Sequence, residues 1–162
     1  MTVTRMSLIG VLLFVGCATA PAPVARISFP ADEYAHLNST GVAVVKGQAF
    51  LKTRGGEVKT AAGSDVVLNP ATSYSQQWYE VDYVGGKTLG DPDPRISSYI
   101  LKTMADAEGR FTFRNVPSGD YYLVTKVVWD APTRLGLTPQ GGTIAKLITV
   151  KDGDELEIVL TK

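Results

Sequence analysis

The sequence DAEGRFTFRNVPSGDYYLVTKVVW, residues 106–129, alternates turn-forming and strand-forming segments. Residues 106–109 begin with Asp and end with Gly, as type I β-turns often do. Polar and aromatic residues then alternate, which predicts a strand with Phe111 and Phe113 on one face. Residues 115–119 contain Pro and Gly and predict a second turn. The apolar run 121–129 predicts a strand in the middle of a sheet.

The rest of the chain continues this pattern, with strand-like segments separated by Gly and Pro turns. The predicted strands are residues 41–45, 48–53, 57–61, 65–69, 98–103, 143–150 and 154–161. Gly47 is predicted to mark a bulge or bend. Residues 130–142, DAPTRLGLTPQGG, are predicted to form a long loop because Pro and Gly interrupt regular structure. Together these patterns predict an all-β fold, an antiparallel β-sandwich of about seven strands.

One segment has a different periodicity. Tyr74 and Trp78 are four residues apart, as are Tyr79 and Tyr83, which predicts a short helix around residues 72–84 with aromatic ridges. These four side chains are the candidate surface for a ligand or partner, because exposed Trp and Tyr rings stack on sugars and anchor protein partners. The alternative is a helix that covers the sandwich, with Trp78 in the core.

The two tryptophans of the chain receive different predictions. Trp78 belongs to the candidate surface, whereas Trp129 ends a central strand and is predicted to lie in the core.

The first residues have the composition of an export signal. The apolar run 8–15 is too short to span a bilayer, which predicts a lipoprotein signal peptide over residues 1–16. The sequence FVGC ends at Cys17 and resembles a bacterial lipobox, so we predict acylation of Cys17. Cleavage after Ala20 is the alternative. The residue after the cysteine is Ala rather than Asp, which predicts anchoring at the bacterial outer membrane.

Pro-rich residues 17–39 are predicted to form the lipidated cysteine and a tether, and residues 40–162 the folded domain. The second half of the tether is unusually apolar and is expected to pack on the domain.

A family resemblance rests on the run G-R-F-T-F-x-x-V-P-x-G-x-Y-x-L, residues 109–123. It resembles the signature of carboxypeptidase regulatory-like domains, which are transthyretin-like or immunoglobulin-like sandwiches common in bacterial envelope proteins. The resemblance implies the fold, but it implies little about function, because this fold serves many tasks.

Composition argues against several function classes. Lys+Arg and Asp+Glu both number 16, so no net charge favours nucleic acid. One histidine, His36, and one cysteine cannot supply a zinc ligand set or a catalytic triad. We therefore expect no enzyme activity, no metal and no cofactor. Asp82, Asp91 and Asp93 could offer oxygen ligands to calcium, but their spacing matches no EF-hand, which favours solvated loop carboxylates.

The predicted function is a non-catalytic binding or structural module attached to the membrane through its lipid anchor. The alternatives are a carbohydrate- or peptidoglycan-binding module that uses the aromatic residues of 74–83, and an accessory subunit of an envelope protein complex.

Overall fold

The computed structural model describes residues 21–134 and 136–162. The predicted signal peptide, residues 1–16, and Cys17 lie outside the described residues. The elements in chain order are α1 (Ala31–Ala35), β1 (Ala43–Lys52), β2 (Val58–Thr60), β3 (Asp65–Pro70), α2 (Ser73–Gln77), a π-helix (Trp78–Val84), a 3₁₀-helix (Pro94–Ser98), β4 (Leu101–Met104), β5 (Arg110–Val116), β6 (Gly119–Thr133), β7 (Gly136–Val150) and β8 (Glu155–Leu160).

Two four-stranded sheets form the domain. One has the order β2–β1–β5, with β8 also paired to β1, and the other has the order β4–β3–β6–β7. The inward-facing side chains of both sheets form one hydrophobic core, which includes Val45, Leu68, Phe111, Leu123, Ile144 and Ile158. The predicted all-β sandwich is confirmed.

The opening stretch folds as predicted. Gly109 N–H donates to Asp106 O at 2.9 Å, closing the turn, and the Asp106 carboxylate accepts from the Arg110 amide at 2.7 Å. Phe111 and Phe113 are both buried on β5, with ring centroids 6.1 Å apart. In the second turn, Asn115 adopts a positive φ of 56°. Residues 106–119 therefore set the direction of β5 and β6 by local turn chemistry.

One strand pair is parallel. β1 pairs with β8 in parallel, from Val44↔Glu155 to Ala49↔Leu160, while β5 pairs with β1 antiparallel. The prediction of a bulge or bend at Gly47 is wrong, since β1 continues through this residue and its register against β5 shifts between Ala43 and Val45 instead. An added Cβ at Gly47 would lie 2.0 Å from Ile158 O. Gly47 therefore permits the close approach of β1 and β8.

The predicted loop 130–142 is also wrong, because these residues extend β6 and β7 as a two-stranded ribbon. Pairing continues without interruption from Gly119↔Val150 to Thr133↔Gly136. Beyond Thr125, β6 pairs only with β7, so each ribbon strand has a free edge. Such an edge tolerates proline, which lacks the N–H that an inner strand must donate.

The residues before β1 lie against the sandwich. Val24 forms a parallel bridge with Leu89, and Tyr34 of α1 is buried. The expectation that the second half of this segment packs on the domain agrees with these contacts. Among the helices of the described part of the chain, none has both the length and the apolar composition needed to cross a membrane.

Candidate functional site

The helical segment begins directly after β3 because its first turn is capped. Thr72 Oγ1 accepts from Ser75 N, and Ser75 Oγ accepts from Thr72 N, which forms a capping box. Ser75 Oγ also donates to Pro70 O at 2.6 Å. These buried hydrogen bonds tie the helix start to the end of β3.

After one α-helical turn the chain widens into the π-helix Trp78–Val84. Gly85 N–H donates to Glu80 O, five residues earlier, at 3.0 Å. Side chains five residues apart thereby share a face, and Trp78 stacks on Tyr83 with centroids 5.9 Å apart. Short π-helical segments are rare in proteins, but those that occur often lie at functional sites. The predicted helix around residues 72–84 is therefore present, in a less regular form.

Three of the predicted site residues come together with a fourth aromatic side chain that sequence analysis did not select. Tyr79 stacks on Tyr122 of β6 at 4.7 Å, and Trp78 meets Tyr122 edge-on at 6.4 Å. We call Trp78, Tyr79, Tyr83 and Tyr122 the aromatic cluster. Tyr122 is buried and its pKa is raised by burial, whereas the other three side chains are half-buried. The cluster thus has a buried base and a partly open outer surface.

A cavity of about 230 Å³ lies beside Trp78, between the helical segment and the outer face of the sheet. Val67 and Asn69 of β3 and Val124 of β6 line it, with Trp78, Arg26 and Ile96 among the other wall residues. The wall is mostly apolar with a few polar groups, as in many small-ligand sites.

Asn69 is the notable polar residue of this wall. Its Oδ1 is buried and is the one buried side-chain N or O atom in the described part of the chain that has no hydrogen-bond partner. The terminal torsion of asparagine is soft, so the carboxamide can turn its oxygen or its amino group toward the cavity.

The N-terminal segment forms another wall of the cavity. Arg26 Nε donates to Gly90 O at 2.6 Å, and its guanidinium lies 5.3 Å from the Tyr74 ring centroid. Gln77 pairs with the same segment, accepting from Ile27 N at 3.0 Å and donating to Ala25 O at 3.1 Å. Residues 24–27 are thereby fixed to the helical segment that carries Trp78.

A second group of aromatic rings fixes the segment further along. Tyr34 stacks on Phe29 at 4.6 Å and lies 4.7 Å from the Tyr99 ring. Tyr34 OH accepts from Thr72 Oγ1 at 3.1 Å, and burial raises the pKa of this phenol. The N-terminal segment is therefore held to the helix cap as well as to the cavity.

The fourth predicted site residue, Tyr74, is not part of an exposed surface. Its side chain is 2% exposed, and its hydroxyl accepts from Asp93 N at 2.8 Å. Tyr74 instead lines the cavity together with Trp78, which lies one α-helical turn later on the same side of the helical segment. The assignment of Tyr74 to an open surface is corrected accordingly. Cys17 lies outside the described residues, and its predicted acylation stays a prediction.

Sequence reasoning missed Arg26 and Asn69. No local pattern could identify them, because they meet Trp78 only when the N-terminal segment and β3 pack around the helix.

One of the three loop carboxylates, that of Asp93, has a structural role. Asp93 accepts from Arg95 Nε and Nη2 at 2.9 and 2.8 Å and also caps the 3₁₀-helix by accepting from Arg95 N. These hydrogen bonds from Arg95 lower the pKa of Asp93 to about 2. In the described part of the chain, no group of three His, Cys, Asp or Glu side chains is placed to hold a metal ion.

The fold of this chain also occurs among solved structures of other proteins. The chain is similar to a "putative carbohydrate binding protein" from Pseudomonas aeruginosa, with 29% sequence identity and a TM-score of 0.76. The likeness covers 85% of this chain and 99% of the other. No protein-family model matches the chain, and no curated protein matches it. The sandwich implied by the resemblance to carboxypeptidase regulatory-like domains is thus confirmed, whereas membership in that family has no support from a family model.

Proposed function

We propose that this protein is a non-catalytic carbohydrate-binding module of the bacterial envelope, held at the outer membrane through acylated Cys17. The sugar-binding surface consists of the outer rings of the aromatic cluster and the adjoining cavity. The observation that carries the proposal is the half-buried Trp78 beside a cavity that is also lined by Asn69, whose buried Oδ1 has no hydrogen-bond partner.

The aromatic cluster supports sugar binding by its shape and its rigidity. Trp78, Tyr79 and Tyr83 are each held by at least two ring contacts within 6.4 Å, so little side-chain entropy is lost when a ligand stacks on them. Aromatic rings pair an apolar face with a polar edge, which suits the apolar faces and hydroxyl rims of sugars.

The cavity supplies directional polar groups beside this apolar surface. An unpaired buried acceptor costs about 1–3 kcal/mol, so a sugar hydroxyl that donates to Asn69 Oδ1 recovers part of that cost on binding. The volume of about 230 Å³ is smaller than a typical site for a drug-sized ligand. We infer that one sugar residue enters the cavity while its neighbours lie along the aromatic cluster.

The fold comparison supports a binding role rather than catalysis. The similar Pseudomonas aeruginosa protein is a "putative carbohydrate binding protein", which names a binding role. His36, the one histidine of the sequence, lies exposed on the C-terminal side of α1, with its Nδ1 2.6 Å from Asp32 O.

The lipid anchor determines where this surface would operate. The described chain is fixed to the domain from Val24 onward, which leaves six residues between Cys17 and Val24. The seven residue-to-residue steps from Cys17 to Val24 span at most about 25 Å. The aromatic cluster would therefore face ligands close to the membrane surface.

The decisive test of sugar binding uses the two indole N–H signals in a ¹H–¹⁵N NMR spectrum, because the chain has only two tryptophans. We expect chitohexaose or maltohexaose to shift the Trp78 signal. Trp78→Ala should weaken binding by more than about ten-fold, as for a central aromatic contact. Thr112→Ala is the matched control, since Thr112 is exposed on β5, in the other sheet. Failure of both sugars to move the Trp78 signal would refute the use of this cavity.

The anchor has a separate test. Cys17→Ser should move the protein from the membrane fraction to the soluble fraction and abolish incorporation of radiolabelled palmitate. Persistent membrane attachment of this variant would contradict the anchor without affecting the proposal for the aromatic cluster.

A further inference from the structure

A larger groove lies where the β6–β7 ribbon passes the end of the β1–β2 hairpin. Its volume is about 680 Å³, within the usual range for ligand sites. Lys52, Arg54 and Lys59 line one side, and Trp129, Asp130 and Gln140 line the other. The aromatic cluster lies near the start of β6, at Tyr122, whereas this groove lies near the end of the same 15-residue strand. The groove is therefore separate from the surface described above.

The ribbon holds the Trp129 ring in a defined position in this groove. Gly141 has φ of 99°, and an added Cβ there would lie 2.8 Å from the Trp129 ring and 2.1 Å from Val127 O. The indole thus packs directly over the Gly141 backbone, an arrangement known to stabilise glycine in strands. Trp129 is only partly buried against the core. The prediction that Trp129 is a core residue is therefore only half correct, because its ring also lines the groove.

The charges of the groove are biased toward cations. Lys59 pairs with Glu57, whose carboxylate oxygen lies 2.5 Å from its Nζ. Lys52 and Arg54 form no ion pair with another described residue, and Asp130 is the other carboxylate in the wall. A concave wall with a surplus of cations raises the local concentration of anions.

We propose that this groove is a second binding site and that it takes an acidic glycan, a polysaccharide whose sugars carry carboxylates. The Trp129 ring stacks on the apolar face of a sugar. Arg54 binds the sugar carboxylate through its planar guanidinium, which matches carboxylate geometry better than an ammonium does. The Gln140 carboxamide and Lys52 contact the neighbouring hydroxyl and carboxylate groups. This site does not depend on the proposed function of the aromatic cluster.

The test measures binding of hexagalacturonate to the full-length protein in detergent micelles, with the Trp129 and Trp78 indole signals as separate reporters. Trp78→Phe assigns the two signals. We expect the acid to shift the Trp129 signal and to leave the Trp78 signal in place. The methyl ester of the same hexamer keeps the sugar but removes the charge, and it should bind at least about five-fold more weakly. The affinity for the acid should also fall as salt is raised.

Substitutions test the contribution of the Arg54 charge separately from that of the Trp129 ring. Arg54→Gln should weaken binding of the acid by about five-fold without affecting the fold. Gly141→Ala should displace Trp129 and abolish the indole response. Gly136→Ala is its matched control, because Gly136 lies in the same ribbon with a similar φ of 107° but has nothing within 4 Å of an added Cβ.

Three results would overturn the proposal. They are equal affinities for the acid and its ester, no binding of the acid, or equal binding of a thymidine oligonucleotide with the same number of charges. The last result would make the groove an unselective polyanion site. A shift of the Trp78 signal by neutral sugars, with no response of the Trp129 signal to the acid, would leave the proposed function standing while this inference fails.

Discussion

Gly47→Ala tests the parallel pair of β1 and β8, which gives the first sheet its unusual arrangement. An alanine Cβ would lie 2.0 Å from Ile158 O and 2.8 Å from Phe111 Cζ. Carbon–oxygen contacts in proteins are essentially never shorter than 3.0 Å, so the two backbones must separate by about 1 Å at this point. Phe111 is 3% exposed and cannot move aside freely.

The expected loss of stability follows from the contacts that this separation of β1 and β8 disrupts. Forcing an extra methyl group into a packed interior costs about 1–3 kcal/mol. The separation also weakens the β1–β8 hydrogen bonds on either side of Gly47, each worth about 0.5–1.5 kcal/mol. We therefore expect the free energy of unfolding to fall by about 3–5 kcal/mol, a large part of the total stability of a domain of this size. Without the collision, replacing glycine by alanine in a strand would raise the free energy of unfolding by roughly 0.5–1 kcal/mol. A decrease in stability would therefore already support the close approach of β1 and β8.

The assay is equilibrium unfolding in urea followed by far-ultraviolet circular dichroism. Gly55→Ala is the matched control, because Gly55 lies in the turn between β1 and β2 and an added Cβ would approach only Thr53 Oγ1, at 3.8 Å. We expect Gly55→Ala to change stability by less than about 1 kcal/mol. If Gly47→Ala is as stable as the wild type, β1 and β8 do not approach as closely as described, and the reasoning is refuted.

Two further predictions concern the N-terminal segment and the 3₁₀-helix. Tyr34→Ala removes about 3–5 kcal/mol of packing free energy. We therefore expect residues 24–38 to lose protection from amide hydrogen exchange while β3 and β6 keep theirs. Loss of protection in β3 and β6 as well would show instead that the segment unfolds together with the core. The Asp93 pKa of about 2 lies below its ordinary value, so its stabilising effect is present above about pH 4 and is lost as the pH falls toward 2. The difference in free energy of unfolding between the wild type and Asp93→Asn should therefore shrink between about pH 4 and pH 2. Arg95→Gln should raise the titration midpoint of the Asp93 carboxyl group, measured by NMR. An unchanged midpoint would show that the hydrogen bonds from Arg95 do not lower this pKa.

Local chemistry explains the parts of the fold that sequence analysis predicted correctly. The turn at residues 106–109 closes through Asp106 and Gly109, which need no distant partner. Phe111 and Phe113 share a face because alternation is a property of the strand itself. Thr72 caps the helix for a similarly local reason, since its partner Ser75 is three residues away.

The errors have a common physical cause, which is pairing across long stretches of chain. Pro132 and Pro139 disfavour an inner strand but not a two-stranded ribbon, and the sequence does not show which edges will be free. Gly47 was recognised as special, but the Ile158 carbonyl that requires the glycine lies 111 residues later in the chain.

The candidate site, like the fold, was predictable from the sequence only in part. The spacing of Trp78, Tyr79 and Tyr83 pointed to a shared surface, and the structure brings these rings together. Their helical spacing could not show that Tyr122 would support them, nor that Asn69 and Arg26 would line the adjoining cavity.

The sequence by itself determined the strand-rich character, the turns at residues 106–119 and the position of the helical segment, because each depends on residues close together in the chain. Only the tertiary structure decided which strands pair, how the N-terminal segment packs, and which side chains line the two candidate binding sites. The physical reason is that burial and strand pairing are settled by contacts between distant residues, whose free energies no local pattern records.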